Sequence, residues 1–328
     1  CGGCSHQNTS KFIPDSFSNK DTTDYSEVPK PSALRISTMT ATSSINSNIN
    51  LSTISSYLPI NEHIKYIEHG HIKKGVSSKN ISEKKAKKKK VFYNQITIEV
   101  VVKNNINNNI KLFNNGAISM TGLKSEEYGR EAVSILLDSL KKTKGVDEND
   151  IEHTCLDNPQ AEITNFNIVL INSDYYIGYE IKRAELHKLL VNKYKIFSSY
   201  EPCIYPGVNS KFYWNEDYLD KEYKGKCYCT ELCDGKGCGK GNGNCKKITV
   251  SAFQSGSVII TGARNLQQIK TAYAFINNIF KINYGILKKQ NAPFLDIDDI
   301  VPVVKNGFKK DGLVYLKKSS IKNFSKID

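Results

Sequence analysis

KLFNNGAISMTGLKS (111–125) and SAFQSGSVIITGARN (251–265) align without a gap, each residue of the second block standing 140 positions after its partner. Phe113 matches Phe253, Gly116 matches Gly256, Thr121 matches Thr261 and Gly122 matches Gly262, with Ile118 opposite Val258 and Lys124 opposite Arg264. Each block reads as a strand, a tight turn at the first glycine, a second strand, and a second glycine ahead of a helix. The helices follow in register. Leu266, Ile269, Tyr273, Ile276 and Phe280 form one stripe by steps of three and four, and Tyr128, Ala132, Ile135, Leu136 and Leu140 form another. Ser125-Glu126-Glu127 suits a helix N-terminus. The chain is therefore an internal duplication of a hairpin-plus-helix unit. Its stripes cover one face of an antiparallel sheet, which leaves the opposite face to solvent or a ligand.

The charge narrows the ligand. The 328 residues carry 46 Lys and Arg against 33 Asp and Glu, a net charge of +13. An anionic partner fits: nucleic acid, an anionic membrane surface or an acidic protein. No apolar run approaches the roughly 18 residues of a spanning helix, and CGGCSHQNTS (1–10) lacks the apolar core of a secretory signal. The hydrophobic share of 39% falls below the usual 45–50% or so, so part of the chain is expected to lie outside a packed core.

Five segments follow. Residues 1–30 are rich in Ser, Thr, Asn and Asp and read as a disordered arm. The first repeat spans 31–144, with a strand at 34–40, a short helix at 51–60, and an insertion at 63–90 that ends in KKAKKKK (84–90). VFYNQITIEVVV (91–102) alternates like a strand. Residues 145–162 read as a linker and 163–288 as the second repeat, with a cysteine-rich insertion at 213–247. A Lys-rich tail (289–328) carries an apolar run at Ile300–Val304.

FSSYEPCIYPGV (197–208), the two hairpin blocks and SEEYGREA (125–132) together resemble the TATA-box-binding protein family, and more closely its divergent relatives in large cytoplasmic DNA viruses. The resemblance covers about 34–144 and 163–283. It implies an α+β saddle: two pseudo-symmetric repeats forming one curved sheet of ten antiparallel strands, with four helices on the convex side. The concave side binds and bends DNA through the minor groove. Apolar wedges that enter a base step unstack it at a cost of a few kcal/mol. Carried over by position, the wedges are Phe113 and Phe253 with Tyr205, and in the first half Phe92, or Tyr93 one position on. Thr121 and Thr261 match threonines that reach minor-groove acceptors. Ile36, Val169 and Ile259 match apolar residues lying on base edges, and Asn167, or Asn165, matches an asparagine at the dyad. Lys124, Arg264 and Lys211 keep positive charge for phosphates.

Several positions depart from the pattern. Leu34 stands at the first-half dyad asparagine, Ala117 and Ser257 replace hairpin lysines, Ser119 replaces a valine, and Lys111 and Ser251 replace leucines. Fewer phosphate contacts mean weaker binding with a shallower salt dependence.

Cys227, Cys229, Cys233, Cys238 and Cys245 lie in CYCTELCDGKGCGKGNGNC (227–245), between Tyr205 and Phe253. By the resemblance this is the second stirrup, the loop that straddles DNA. Four thiolates from such a loop would hold Zn²⁺ and order a segment too polar to build a core. The spacing is not CxxC…CxxC, and reduced free thiols or a disulfide are the alternatives. His69 and His71 read as loop residues, and His153 with Cys155 lacks the partners of a catalytic dyad. There is no P-loop, no HExxH and no HxE with PCxxC, so the chain reads as a binding protein and not an enzyme.

The resemblance implies an initiation factor that docks a factor B-like protein and RNA polymerase, with Glu201 in the second stirrup at the factor B contact and Cys203 replacing a nearby acid. It would act in a viral factory in the host cytoplasm or in the nucleus. The competing expectation is a protein-interaction adaptor that kept the saddle and lost productive DNA binding.

Overall fold

The computed structural model describes residues 26–78, 92–218, 225–229, 233 and 235–289. The arm through residue 25, the lysine run 84–90 and the tail from residue 290 lie outside the described residues.

Thirteen strands are described. Eleven form one antiparallel sheet, and β7 (Lys144–Val146) with β8 (Glu152–Thr154) forms a separate hairpin. The first half contributes β1 (Arg35–Ile45), β2 (Ile64–His69), β3 (Ile72–Gly75), β4 (Gln95–Val102), β5 (Ile106–Phe113) and β6 (Ala117–Leu123). The second contributes β9 (Ile163–Tyr176), β10 (Ser198–Ser199), β11 (Val208–Trp214), β12 (Lys246–Ala252) and β13 (Ser257–Ala263). The order across the sheet is β10-β11-β12-β13-β9-β1-β6-β5-β4-β2-β3. The two halves thus repeat one topology outward from the β1–β9 pair, and β3 is the strand beyond the expected ten.

Both long helices begin as the duplication requires. In α2 (Glu126–Lys142) the Ser125 hydroxyl accepts the Tyr128 N–H at 3.2 Å. In α4 (Leu266–Ile282) the Asn265 carbonyl oxygen accepts the Gln268 N–H at 2.9 Å. Positions 125 and 265 are again 140 apart, and each satisfies an N–H that the first helical turn leaves without a partner. Glu126 and Glu127 at one end of α2 and Lys141 and Lys142 at the other suit the helix dipole. The shorter helices are α1 (Leu51–Tyr57), α3 (Arg183–Lys188), which runs on into a π turn at Leu189–Lys193, and α5 (Tyr284–Leu287).

Two cores lie on one face of the sheet. Val133, Leu136 and Leu140 of α2 pack with Ala41, Ile98, Ile110 and Met120. Ile269, Ile276 and Phe280 of α4 pack with Ile171, Val250, Ile260 and Phe212. Met39 and Ile168 touch both. This is the expected α+β arrangement, one antiparallel sheet with helices on a single face. The predicted α4 stripe is one residue too long, because Leu266 is exposed.

Two boundaries differ from the sequence reading, and the third agrees within a residue. Residues 63–90 are not wholly an insertion, since β2 and β3 are strands of the main sheet, with Ile64 and Ile67 fully buried. The 145–162 segment is not a free linker, because Cys155, Leu156 and Ala161 are buried in the first core. The cysteine insertion is bounded by Trp214 and Lys246, whose pairing closes the β11–β12 hairpin. It therefore lies at the end of that hairpin opposite Tyr205 and Phe253, and not in the loop beside them.

One turn glycine and one strand-end glycine of the repeated blocks give a direct test. Gly256 has φ +86°, and a Cβ there would lie 2.1 Å from the Tyr179 carbonyl oxygen. Gly122 has φ +84° but open space around its Cβ position. Gly122→Ala carries backbone strain alone, on the order of 1–3 kcal/mol, while Gly256→Ala adds a backbone clash. The urea midpoint should fall for both and fall further for Gly256→Ala; equal midpoints would contradict the turn geometry.

Candidate nucleic-acid interface

The helix-free face is built by strand alternation. On β1, Met39, Ala41, Ser43 and Ile45 turn toward the cores, so Thr38, Thr40, Thr42 and Ser44 face the open side. Thr121 pairs with Thr40 and Thr261 pairs with Asn172, while Met120 and Ile260 pair with Ala41 and Ser173. The strands β1 and β9 are therefore related by 173 − 41 = 132. Met39 and Ile171 obey the same offset (171 − 39 = 132) and pair with each other. The pseudo-twofold axis passes through that pair. Around it on the open face stand two symmetry-related pairs, Thr38 with Asn172 and Thr40 with Leu170, flanked by Thr121 and Thr261.

This register moves several expected residues. Ile36 pairs with buried Ser173 and packs against the second core, so it lies on the helix side and not on the open face. Leu34 packs there too. Val169 falls between Ile168, opposite Ala41, and Leu170, opposite Thr40, and is the extra residue of a bulge. Asn167 does face the open side opposite Thr42, and its amide donates to the Asn165 carbonyl at 2.8 Å. Ile259 lies on the open face, 36% exposed. The four residues nearest the axis, Thr38, Thr40, Leu170 and Asn172, were missed. The Thr-x-Thr-x-Thr-x-Ser alternation of 38–44 was the signal for the first two.

The aromatic positions are likewise set by register. Ala252 pairs with Val208 and Leu112 with Ile96. Phe253 and Phe113 thus follow equivalent residues, and β4 and β11 are related by 208 − 96 = 112. Tyr205 and Phe253 meet edge to face, ring centroids 5.7 Å apart. The residue 112 positions before Tyr205 is Tyr93, so Tyr93 rather than Phe92 is its counterpart; both are exposed. Tyr93 leans over the β2–β3 turn, edge-on to His71 at 6.4 Å.

The two outer flanks carry opposite charge. Lys211 is opposite Thr249, and Thr249 is opposite Thr261. In the first half the same path runs from Thr121 through Asn109 to Glu99, and 211 − 99 = 112. A carboxylate therefore stands where the other half has an ammonium. Lys211 Nζ donates to Asn209 Oδ1 at 3.0 Å and Thr249 Oγ1 at 2.9 Å, and burial, then Lys247, lowers its pKa. Burial pushes the Glu99 carboxyl up, but donors from Ser77 Oγ (2.5 Å), the Ser78 N–H (2.9 Å) and Asn107 Nδ2 (2.7 Å) outweigh it and hold the group below its ordinary value. Residues 77 and 78 thereby strap across this flank. Near the axis, Arg35 neutralises Asp174 at 2.7 Å. Lys124 Nζ donates to the Ser37 carbonyl at 2.8 Å. Arg264 approaches Gly239 in the cysteine loop.

In the loop before β11, the Glu201 carbonyl accepts the N–H groups of Ile204 and Tyr205 at 2.9 Å each, and the Glu201 and Cys203 side chains are exposed. Arg183 props this loop by donating to the Pro206 carbonyl. The Sγ atoms of Cys227, Cys229, Cys233 and Cys245 all lie within 4.8 Å of one another, a group that could hold a metal ion; Cys238 is outside it. His69 Nδ1 donates to the Gln95 carbonyl (3.1 Å) and is no part of that group. His153 pairs with Asp147 at 3.0 Å, while Cys155 is buried, its thiol pushed up to about 11. No described helix is long and apolar enough to cross a membrane.

The strap has a pH signature. A carboxyl whose pKa is depressed by folding stabilises above its unfolded value and loses that contribution as pH falls through the folded value. Protection of the Ser78 amide should collapse below about pH 4, the ordinary carboxylate range, and should be weak at every pH in Glu99→Gln. Protection in that variant equal to the parent would contradict the strap.

No family model matches the chain. It is 29% identical over 278 residues to a protein of Acanthamoeba polyphaga mimivirus named "TATA-box-binding protein-like", covering 80% of this chain and 70% of the relative. A solved TBP of Methanococcus jannaschii aligns with 76% of this chain and 99% of its own at 18% identity and a TM-score of 0.43. The likeness to that mimivirus protein extends through most of the sequence, beyond FSSYEPCIYPGV and the paired hairpins.

Proposed function

We propose that the open face is a duplex-DNA surface and that the protein is a TATA-binding-like transcription initiation factor without catalytic activity. The observation that carries this reading is the twofold row of Thr38, Thr40, Leu170 and Asn172, flanked by Thr121 and Thr261. Small hydroxyl, amide and apolar groups suit a minor groove, whose A·T pairs offer acceptors and no amino group. Phe113 and Phe253, the latter with Tyr205 against it, act as wedges that unstack a base step and bend the duplex, with Tyr93 as the first-half counterpart of Tyr205. Lys211, Lys124 and Arg264 contact phosphates. The exposed loop bearing Glu201 docks a factor B-like protein, through which RNA polymerase is recruited. Zn²⁺ in the cysteine cluster is a structural ion. The viral relative supports a role in a viral factory or the host nucleus.

A specific observation favours the adaptor reading. Glu99 stands at the position of Lys211, and its flank is strapped by the chain itself. Together with Ala117 and Ser257 in place of lysines in the first and second halves, this reduces the phosphate contacts available, most of all in the first half.

The wedges separate the two readings. In a circular-permutation assay on an A·T-rich duplex, the parent should bend the DNA. Phe113→Ala with Phe253→Ala should abolish the bend and leave weaker, salt-sensitive binding. A bend of unchanged size in the double variant would overturn the wedge assignment.

A further inference from the structure

The thiol cluster has the dimensions of a metal centre. A tetrahedron with metal–sulfur bonds of about 2.3 Å has sulfur–sulfur edges of about 3.8 Å. Cys227 Sγ lies 3.7 Å from Cys233 Sγ and 3.8 Å from Cys245 Sγ. Both separations are far beyond the roughly 2.05 Å of a disulfide bond. Cys233 and Cys245 are fully buried although the loop around them is rich in Gly, Lys and Asn. The Gly237 N–H donates to Cys233 Sγ at 3.2 Å, as an N–H does toward a thiolate. A Cβ on Gly241 would meet Cys233 Cβ at 2.6 Å, so the loop is drawn tightly around the sulfurs.

The surroundings fit a charged centre. Four thiolates and one divalent cation sum to 2 − 4 = −2. Lys246 and Lys247 directly follow Cys245. Arg264 Nη1 lies 2.9 Å from the Cβ position of Gly239, whose N–H donates to the Cys245 carbonyl at 2.8 Å. Among the described residues, none of these three cations has a carboxylate partner. The loop is also stitched to the sheet. The Lys247 N–H donates to the Gly237 carbonyl at 2.8 Å, Tyr213 Oη to the Gly235 carbonyl at 2.8 Å, and Asn215 Nδ2 to the Asn242 carbonyl at 2.8 Å.

We infer that Cys227, Cys229, Cys233 and Cys245, without Cys238, form a four-thiolate Zn²⁺ centre whose charge is offset by Lys246, Lys247 and Arg264 and which fastens the far end of the β11–β12 hairpin. This deepens the structural-zinc part of the proposed function. Zinc suits the site because soft thiolates in a closed tetrahedron are its structural ligand set. The ion supplies the loop with the core that its composition cannot build. Cys238 sits outside the centre, bridged in β fashion to Lys246.

The test uses the full chain, reduced and reconstituted with zinc, then desalted. One zinc per chain is expected by elemental analysis, and Co²⁺ in its place should give the absorption of a tetrahedral thiolate site. Cys238→Ser should keep the metal, while Cys245→Ser and Cys227→Ser should lose it. Chelation should strip protection from the Lys247 and Gly239 amides by tenfold or more and leave those of β1 and β9 unchanged. The inference is overturned if the parent takes up no metal, if Cys238→Ser loses it as Cys245→Ser does, or if chelation leaves the 237–247 amides untouched. No arm uses DNA, so a chain that holds zinc in this way and binds no duplex fails the DNA reading alone.

Discussion

The pairing of β1 with β9 is the constraint on which the rest of the structure depends. It joins the two repeats across the pseudo-twofold, and Met39 and Ile168 carry packing from one core to the other. Because side chains alternate along a strand, fixing Met39 opposite Ile171 also fixes which residues face the open side. A slip of one residue would bury Thr38 and Thr40 and expose Ala41. The bulges in β1 and β9 adjust this pairing locally; across them Ile36 turns to the helix side and Val169 becomes an extra residue. Thr38 Oγ1, beside the axis, is buried without a partner; such an atom costs about 1–3 kcal/mol.

The duplication fixed more than the hairpins. The 140-residue offset that aligns Phe113 with Phe253 also relates the N-caps Ser125 and Asn265, and both cap as their types predict. The fold was legible because a repeated strand–glycine–strand–glycine–helix pattern specifies local structure and symmetry together. The ends of the elements were less so. Ile64 and Ile67 belong to the same 63–90 stretch that ends in the lysine run, and composition there concealed a buried strand. The cysteine loop was identified with the second stirrup by resemblance; the pairing of Trp214 with Lys246 puts it at the closed end of the β11–β12 hairpin. The ligand set could not be read from spacing, since five cysteines at irregular intervals allow several choices, and only the loop geometry leaves Cys238 out.

The symmetry of the backbone is broken in its electrostatics. Lys211 and Glu99 occupy equivalent sites, yet one flank offers an ammonium and the other a carboxylate clasped by Ser77 and Ser78. Near the axis, Asp174 is paired with Arg35, so the centre of the face is close to neutral. Long-range attraction then comes from the excess of 13 positive charges over the chain as a whole, and that attraction is screened within about 10 Å at 0.1 M salt. A face of this kind discriminates by contact and deformation more than by charge, and it presents its two flanks unequally to a duplex.

The central claim is that this open face takes duplex DNA through the minor groove and bends it. The most direct measurement is a salt-series titration with two end-labelled duplexes, one A·T-rich and one G·C-rich, read by energy transfer between the ends. The account predicts tighter binding to the A·T-rich duplex, ends drawn together on binding, and a preference that persists as salt rises. Binding that is equal for both duplexes, vanishes with salt and leaves the end-to-end distance unchanged would contradict it.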